Sequence, residues 1–449
     1  MGRPGNDLLP RIFAGLFGAF LGLSLLKFGN PFVTEKWVEP PDGFWQFLLG
    51  YPWPIAWAYW LLALVGLVGA AVAGRKSAAP WWLVVLPAVW LVWQLLAALQ
   101  SVDPALTQLT LKHLAACVLC FYLGYFALSQ VQRVWPFWLG LVCGFLLVLA
   151  AGWEQQCGGL KETREYFFRE VYPHMTVVPP DYLKRMSSNR IFSTLLYPNV
   201  LAGALLLLLP ATLAGLWQLR RLLTPAARGF LVCLVGTAGL ACLYWSGSKG
   251  GWLLMLLLGL LALLRVPFSR RLKAVLVAGI LLAGVAGFFW RYATFFKKGA
   301  TSVSARFDYW QAAVQTAKEK PFLGTGPGTF GIAYKKIKRP ESEMTWLVHN
   351  DYLEQASDSG LAGLLAYALF IAAALAKSYP RRGKASASQP DDWLTFAVWL
   401  GAAGWSLQSF IEFGLYIPAL AWPAFTFLGW LLGRQGRSPP HIPAPVPSR

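Results

Sequence analysis

Histidine is scarce in this chain, with four in 449 residues. One of them, His349, stands just before a helix-forming run, LVHNDYLEQASDSGLAGLLAYALF at 347–370. The positive end of a helix dipole disfavours imidazolium, so the ring is kept neutral and able to accept a proton. The plainer alternative is a loop histidine held by hydrogen bonds. Three cations are candidates to act with it. In ATSVSARFDYWQAAVQTAKEKPFLGTGPGTF (300–330), Arg306, Tyr309, Trp310, Ala313, Val314 and Ala317 share one face of a helix that Ser302 or Ser304 can cap and that runs to about Lys320. An arginine on an otherwise apolar face is costly unless it meets an anion or a carboxylate. Lys249 sits in the Gly-rich turn SGSKGGW (246–252), whose amides either form an anion-binding concavity or simply connect two helices. Arg190 and Asn199 lie in SSNRIFSTLLYPNVLAGAL (187–205), where the chain re-enters apolar sequence; a guanidinium snorkelling into headgroups is the alternative for Arg190. Glu412 ends an apolar segment, where an acid is either functional or merely solvated. A neutral histidine would take a proton from an attacking hydroxyl. Guanidinium groups would offset charge growing on a phosphate. The chemistry is attack on a substrate with an anionic leaving group.

Other motifs carry less. GTGPG (324–328) is by itself a weak phosphate signal, and SGSKGGW lacks the spacing of a Walker A loop. Cys117 and Cys120 form a C-x-x-C, but in mid-helix they read as small packing residues. No H-x-x-x-H or Cys–His metal spacing appears among the histidines at 113, 174, 349 and 441. A metal-independent reaction with no cofactor is expected.

The elements that must position these groups are membrane helices. The chain is 57% hydrophobic and 13% charged, where a soluble domain is about 25% charged. Twelve apolar runs stand at 11–29, 53–74, 81–99, 109–129, 135–153, 197–217, 229–247, 250–265, 273–290, 359–376, 393–412 and 416–433. Runs of this length read as transmembrane helices. The first has no clear cleavage site and reads as a retained helix. With the N-terminus inside, the inner loops and their flanks carry fourteen basic residues, among them Arg133, Arg220, Arg228, Arg265, Arg270 and Lys377. Short outer loops carry few. Three acidic residues then lie inside and seventeen outside. The net charge of +19 is therefore mostly a topology signal and gives no support for nucleic-acid binding.

The predicted fold is all-α. It is a single polytopic bundle over 1–433 of about twelve transmembrane helices, with both termini cytoplasmic and a Pro-rich, disordered tail at 434–449. Two outer loops, 154–196 and 291–358, are too long for simple turns. The first contains LKETREYFFREVY (160–172), which suits an amphipathic helix at the interface. The second, between helices nine and ten, is large and helical. His349, Arg190, Lys249, Arg306 and Glu412 all fall on the outer side. Nucleotides are absent there, so a lipid-linked phosphate donor presented by the bilayer is the economical choice. Gly360 and Gly363 would allow close helix packing.

Three features together resemble the O-antigen ligase superfamily, which includes O-antigen ligases, O-antigen polymerases and protein O-oligosaccharyltransferases. One is His349-Asn350, nine residues, then Gly360-Leu361-Ala362-Gly363, similar to the family's H-[NSQ]-x9-G-x-x-G. The second is Arg306-x-x-x-Trp310 followed by PFLGTGPGTF (321–330). The third is the pair RIFSTLLYPNVLA (190–202) and SGSKGGW (246–252). The motifs span about 190–376, and the helix layout extends the resemblance over most of the chain. The resemblance implies a glycosyltransferase of the bacterial cytoplasmic membrane with a periplasmic site. Its donor would be a glycan on undecaprenyl pyrophosphate, and for a ligase the acceptor would be a lipid A–core sugar. His349 would be the base. Arg306 and Lys249 would hold the pyrophosphate, with Arg190, Asn199, Asn350 and Trp310 completing the substrate site. Inversion at the anomeric carbon is expected. The ligase motif usually has Arg where this chain has Lys249, which keeps the charge but not the bidentate fork. A polymerase, using the lipid-linked glycan as acceptor too, is the main competitor. A small-anion transporter should place ionisable groups or broken helices at the bilayer midplane, and the helix centres here are nearly free of charge.

Overall fold

The computed structural model describes residues 8–74, 79–174, 187–220, 222–297, 301–380 and 390–435. The described residues contain helices and no strands. In chain order the helices are α1 (Leu8–Lys27), α2 (Phe44–Leu49), α3 (Ile55–Val72), α4 (Trp81–Ala98), α5 (Pro104–Tyr122), α6 (Trp135–Glu154), α7 (Leu160–Tyr166), α8 (Pro198–Trp217), α9 (Pro225–Ser246), α10 (Lys249–Arg265), α11 (Arg270–Lys297), α12 (Thr301–Glu319), α13 (Phe330–Ile337), α14 (Asp351–Ser378), α15 (Pro390–Gln408) and α16 (Pro418–Gly433). Nine of the described helical stretches are long and apolar enough to cross a membrane, as expected of a polytopic membrane protein. All twelve apolar runs coincide with helices; the three not among those nine are α10, α15 and α16.

Glycine sets the tightest packing. α1 lies against α6 where Gly18 and Gly22 face Gly140 and Gly144, and a Cβ on Gly18 would sit 2.1 Å from the Phe137 carbonyl oxygen. In lipid, such close backbone approach supplies the van der Waals contact that holds helices together. α16 is buried along its whole length, with Trp422 and Phe425 among its fully buried side chains.

Several sequence expectations change in detail. The stretch 160–172 is helical, but it continues from α6 through a kink at Gly158, whose φ is 142°. α12 begins at Thr301, one residue before the expected Ser302 cap. The segment read as 393–412 ends at Gln408, so Glu412 belongs to the turn that follows and not to a helix end. Gly360 is no packing glycine inside a regular helix. It breaks α14 at φ 72°, ψ −176°, a region open essentially to glycine alone. A Cβ there would lie 2.1 Å from the Phe322 carbonyl oxygen. Most of the expected tail, 436–449, lies outside the described residues, as do Arg221 and the inner-loop residues 381–389.

Candidate active site

The site is built on the first turns of α14 and the loops that fold over them. Asn350 is the N-cap of α14; its side-chain oxygen accepts from the amides of Tyr352 (3.1 Å) and Leu353 (3.0 Å). Such a cap contributes about 1 kcal/mol. The residue before it, His349, takes φ 55°, the left-handed region in which histidine is one of the tolerated side chains. That turn swings the imidazole away from the helix. Trp310 on α12 donates its indole N–H to the His349 carbonyl at 3.4 Å. The ring is stacked beside Tyr309 at 5.9 Å and meets the edge of Phe413 at 4.6 Å. Tyr309, Ala313 and Ala317 are buried on α12, whereas Val314 is exposed, so the expected apolar face is narrower than the sequence suggested.

Glu412 is the hub. Its Oε2 lies 3.2 Å from His349 Nδ1. Its Oε1 accepts from Asn199 Nδ2 at 2.6 Å and pairs with the Arg306 guanidinium. Asn199 in turn accepts from Arg190 at 2.8 Å, and Arg190 Nε donates to the Ser246 carbonyl at 2.6 Å. Arg190, Asn199, Arg306, His349 and Glu412 thus form one hydrogen-bonded network. Lys249 joins at the start of α10, where Ser248 caps the helix, and its ammonium lies 5.2 Å from the Tyr292 ring.

Charge within the network is unbalanced. Burial would raise the Glu412 carboxyl, but Arg306, His349 and Arg190 outweigh it and hold the group below its ordinary range. Burial, and then the guanidiniums of Arg190, Arg306 and Arg291, push the Lys249 ammonium down to about 8. Arg190 is lowered by burial and partly restored by Glu412. With Oε2 of Glu412 as acceptor, a neutral His349 would carry its proton on Nδ1 and leave the Nε2 lone pair exposed to a substrate. Among the described residues, the imidazole of His349 thus stands beside more cations than carboxylates.

A second layer holds the loops. Asp351, Glu354 and Asp358 are fully buried along one side of α14. Asp351 accepts from the Leu415 amide at 2.9 Å, Glu354 from the Val348 amide at 3.1 Å, and Asp358 from the Gly328 amide at 2.6 Å. Each carboxylate therefore fixes a segment of the site: the turn bearing Glu412, the residue before His349, and the GTGPG loop. The last of these corrects the phosphate reading of GTGPG. Its glycines at 324, 326 and 328 all have positive φ, but the amides of Thr325 and Gly326 are spent on the Ser357 and Asp358 carbonyls. The loop docks against the α14 break and has no amides left there for an anion.

Every candidate from the sequence reaches this neighbourhood. The role of Asn350 is capping, and that of Trp310 is bracing the His349 backbone. Two residues were missed. Arg291 and Tyr292 lie in α11 beside Lys249; their signal was an arginine and a tyrosine at the outer end of an apolar run. Glu412 was noticed, but nothing in the sequence revealed its partners. Among the described residues no group of three His, Cys, Asp or Glu side chains could hold a metal ion. Cys117 and Cys120 are buried in α5, with Cys117 Sγ 3.5 Å from His113 Nε2.

The residue before α14, His349, is thus gathered with cations from α10, α12 and the loop before α8 inside an apolar helical bundle. Residues 234–368 match the O-Antigen ligase family, and through that segment the chain is similar to the O-antigen ligase superfamily. Its members are glycosyltransferase-type membrane enzymes that use lipid-linked glycan donors and glycan acceptors. Lys249, Arg306, Trp310, His349 and Asn350 fall inside the matched segment, whereas Arg190, Asn199 and Glu412 fall outside it. The chain is also similar to an uncharacterized protein of Haemophilus influenzae, 29% identical over 149 residues, a match that takes in 28% of this chain and 37% of that protein.

Proposed function

We propose that this protein transfers a glycan from undecaprenyl pyrophosphate to a hydroxyl acceptor, most simply O-antigen to a lipid A–core sugar. The observation that carries the proposal is the Glu412 hub, which joins the one histidine of the site to two arginines through direct contacts and Asn199. The bundle of 1–433 would cross the inner membrane about twelve times, with the loops 154–196 and 291–358 periplasmic. Arg306, Arg190 and Lys249 bind the donor pyrophosphate. Glu412 accepts from Nδ1–H of His349, so Nε2 faces the acceptor hydroxyl as base. The acceptor oxygen bonds to the anomeric carbon as the bond to the pyrophosphate oxygen breaks. His349 takes the hydroxyl proton, and the electron pair of the broken bond leaves on the phosphate. Attack from the side opposite the leaving group inverts the anomeric carbon.

A polymerase would use the same groups with a second lipid-linked glycan as acceptor. Deleting the gene in its native host separates the two. Long lipid-linked chains with bare core mean a ligase, and core bearing a single repeat means a polymerase. If neither the surface polysaccharide nor the lipid-linked pool changes, the glycosyltransferase proposal is wrong.

A further inference from the structure

The last turns of α11 bring two unassigned residues to the same cation cluster. The Arg291 guanidinium lies over the Tyr244 ring at 4.9 Å and 5.6 Å from the Tyr292 ring. The Lys249 ammonium faces that same Tyr292 ring at 5.2 Å. Two cations therefore share one aromatic side chain. A ring quadrupole attracts each of them, yet it does nothing to neutralise either. Three polar atoms here are shielded from water and make no hydrogen bond among the described residues: Arg291 Nε, the Tyr292 hydroxyl and Arg306 Nε. Buried donors are nearly always satisfied, so the cluster would gain from an acceptor, reached by side-chain movement because the three atoms are covered in this structure. That acceptor must offer several oxygens, because the orphans come from two different elements.

Charge counting narrows its identity. Among the described residues, Arg190, Lys249, Arg291 and Arg306 gather around the carboxylate of Glu412, a formal excess of three positive charges. A lipid pyrophosphate esterified to a sugar carries two negative charges. When the anomeric carbon–oxygen bond breaks, its electron pair stays on the terminal phosphate and the acceptor proton goes to His349. The departing pyrophosphate then carries three. On the donor reading above, we propose that Arg291 and Tyr292 form a second phosphate-binding arm, which makes the site selective for pyrophosphate over a monophosphate and matches its charge to the leaving group. Arg306 and Arg190, tethered through Glu412 and Asn199, form the first arm. Arg291 and Lys249, resting on aromatic faces, form the second.

The test uses the full chain in lipid nanodiscs with inorganic pyrophosphate and inorganic orthophosphate as probes. The wild type is expected to bind pyrophosphate at least about tenfold more tightly than orthophosphate, the worth of one further charge-assisted hydrogen bond. Arg291→Gln is expected to lose about tenfold or more in pyrophosphate affinity, to keep orthophosphate affinity within about threefold, and so to erase the discrimination. Arg306→Gln should weaken both ions. If Arg306→Gln loses pyrophosphate and Arg291→Gln does not, the second arm is wrong and the donor reading stands. If the wild type does not prefer pyrophosphate, the donor reading falls, and the arm falls with it. Should Arg291→Gln fail to fold, Tyr292→Phe removes only a hydroxyl and decides the matter: unchanged pyrophosphate affinity overturns the proposal, and a loss confined to pyrophosphate supports it.

Discussion

Replacing Glu412 by Gln is the sharpest probe of the site, because it keeps the shape and removes one charge. The carboxylate serves Asn199 and Arg306 with one oxygen and His349 with the other. A glutamine has one acceptor oxygen, so its amide N–H must confront either the Arg306–Asn199 side or the histidine side. At least one donor loses its partner. The Glu412 side chain is 9% exposed and that of Arg306 is 19% exposed, so solvent repairs little. Removing one partner of a buried ion pair costs about 3–5 kcal/mol, and the variant should melt at a lower temperature. The effect on rate has a separate cause. The remaining oxygen is best placed toward the two donors Asn199 and Arg306, so the amide N–H faces Nδ1 and neutral His349 would carry its proton on Nε2, where it cannot act as base. General-base catalysis is worth roughly 10²–10⁴ in rate, so kcat should fall by about that factor. KM for the donor should hold or decrease, since the cluster gains net positive charge. The assay is transfer from a fluorescent lipid-linked glycan in nanodiscs, with the melting temperature of the same preparation. A folded variant whose kcat stays within about threefold of wild type would refute the assignment of Glu412 as the group that orients His349.

Further outcomes are expected. Lys249 is held at about 8 by burial and its guanidinium neighbours, so kcat/KM for an anionic donor should fall as pH rises through about 8 and the ammonium is lost. Lys249→Arg keeps its charge and should move that alkaline limb upward; an unchanged profile would remove Lys249 from donor binding. Arg306→Lys retains a charge but loses the planar fork, and should cost about tenfold or more in kcat/KM, about one charged hydrogen bond; a wild-type rate would make Arg306 structural. Gly360→Ala would drive a Cβ against the Phe322 carbonyl at a φ of 72°, and should lower the melting temperature and the activity together. A variant melting at the wild-type temperature would show that the α14 break is not required.

The sequence made the helices and the main chemical groups legible, and the reason is contrast. In a chain so apolar, His349, Arg190, Lys249 and Arg306 stand out, and loop charge suggested that they share a side. Three things stayed hidden. The pairing of His349 with Glu412 spans 63 positions and depends on where α15 stops, four residues before the apolar run ends. The GTGPG loop has the composition of an anion cradle, but whether its amides are free is decided by Ser357 and Asp358 on another element. Arg291 resembled any arginine at the end of a span until Tyr244 and Tyr292 were seen to hold it beside Lys249.

The buried acids of α14 also bear on the order in which the molecule is made. Asp351 is held by the Leu415 amide and, through its own backbone, by the Ser409 carbonyl; Asp358 is reached by the Tyr416 hydroxyl at 3.3 Å. All three of those partners are synthesised after α15, just ahead of α16. On the proposed mechanism, a nascent chain that has inserted α14 carries its base but neither the carboxylate that would orient it nor the cover over its acids. The turn 409–416 supplies both when α16 enters. On the proposed mechanism, completion of the site is thereby tied to the entry of α16, and a copy without it could not spend the donor.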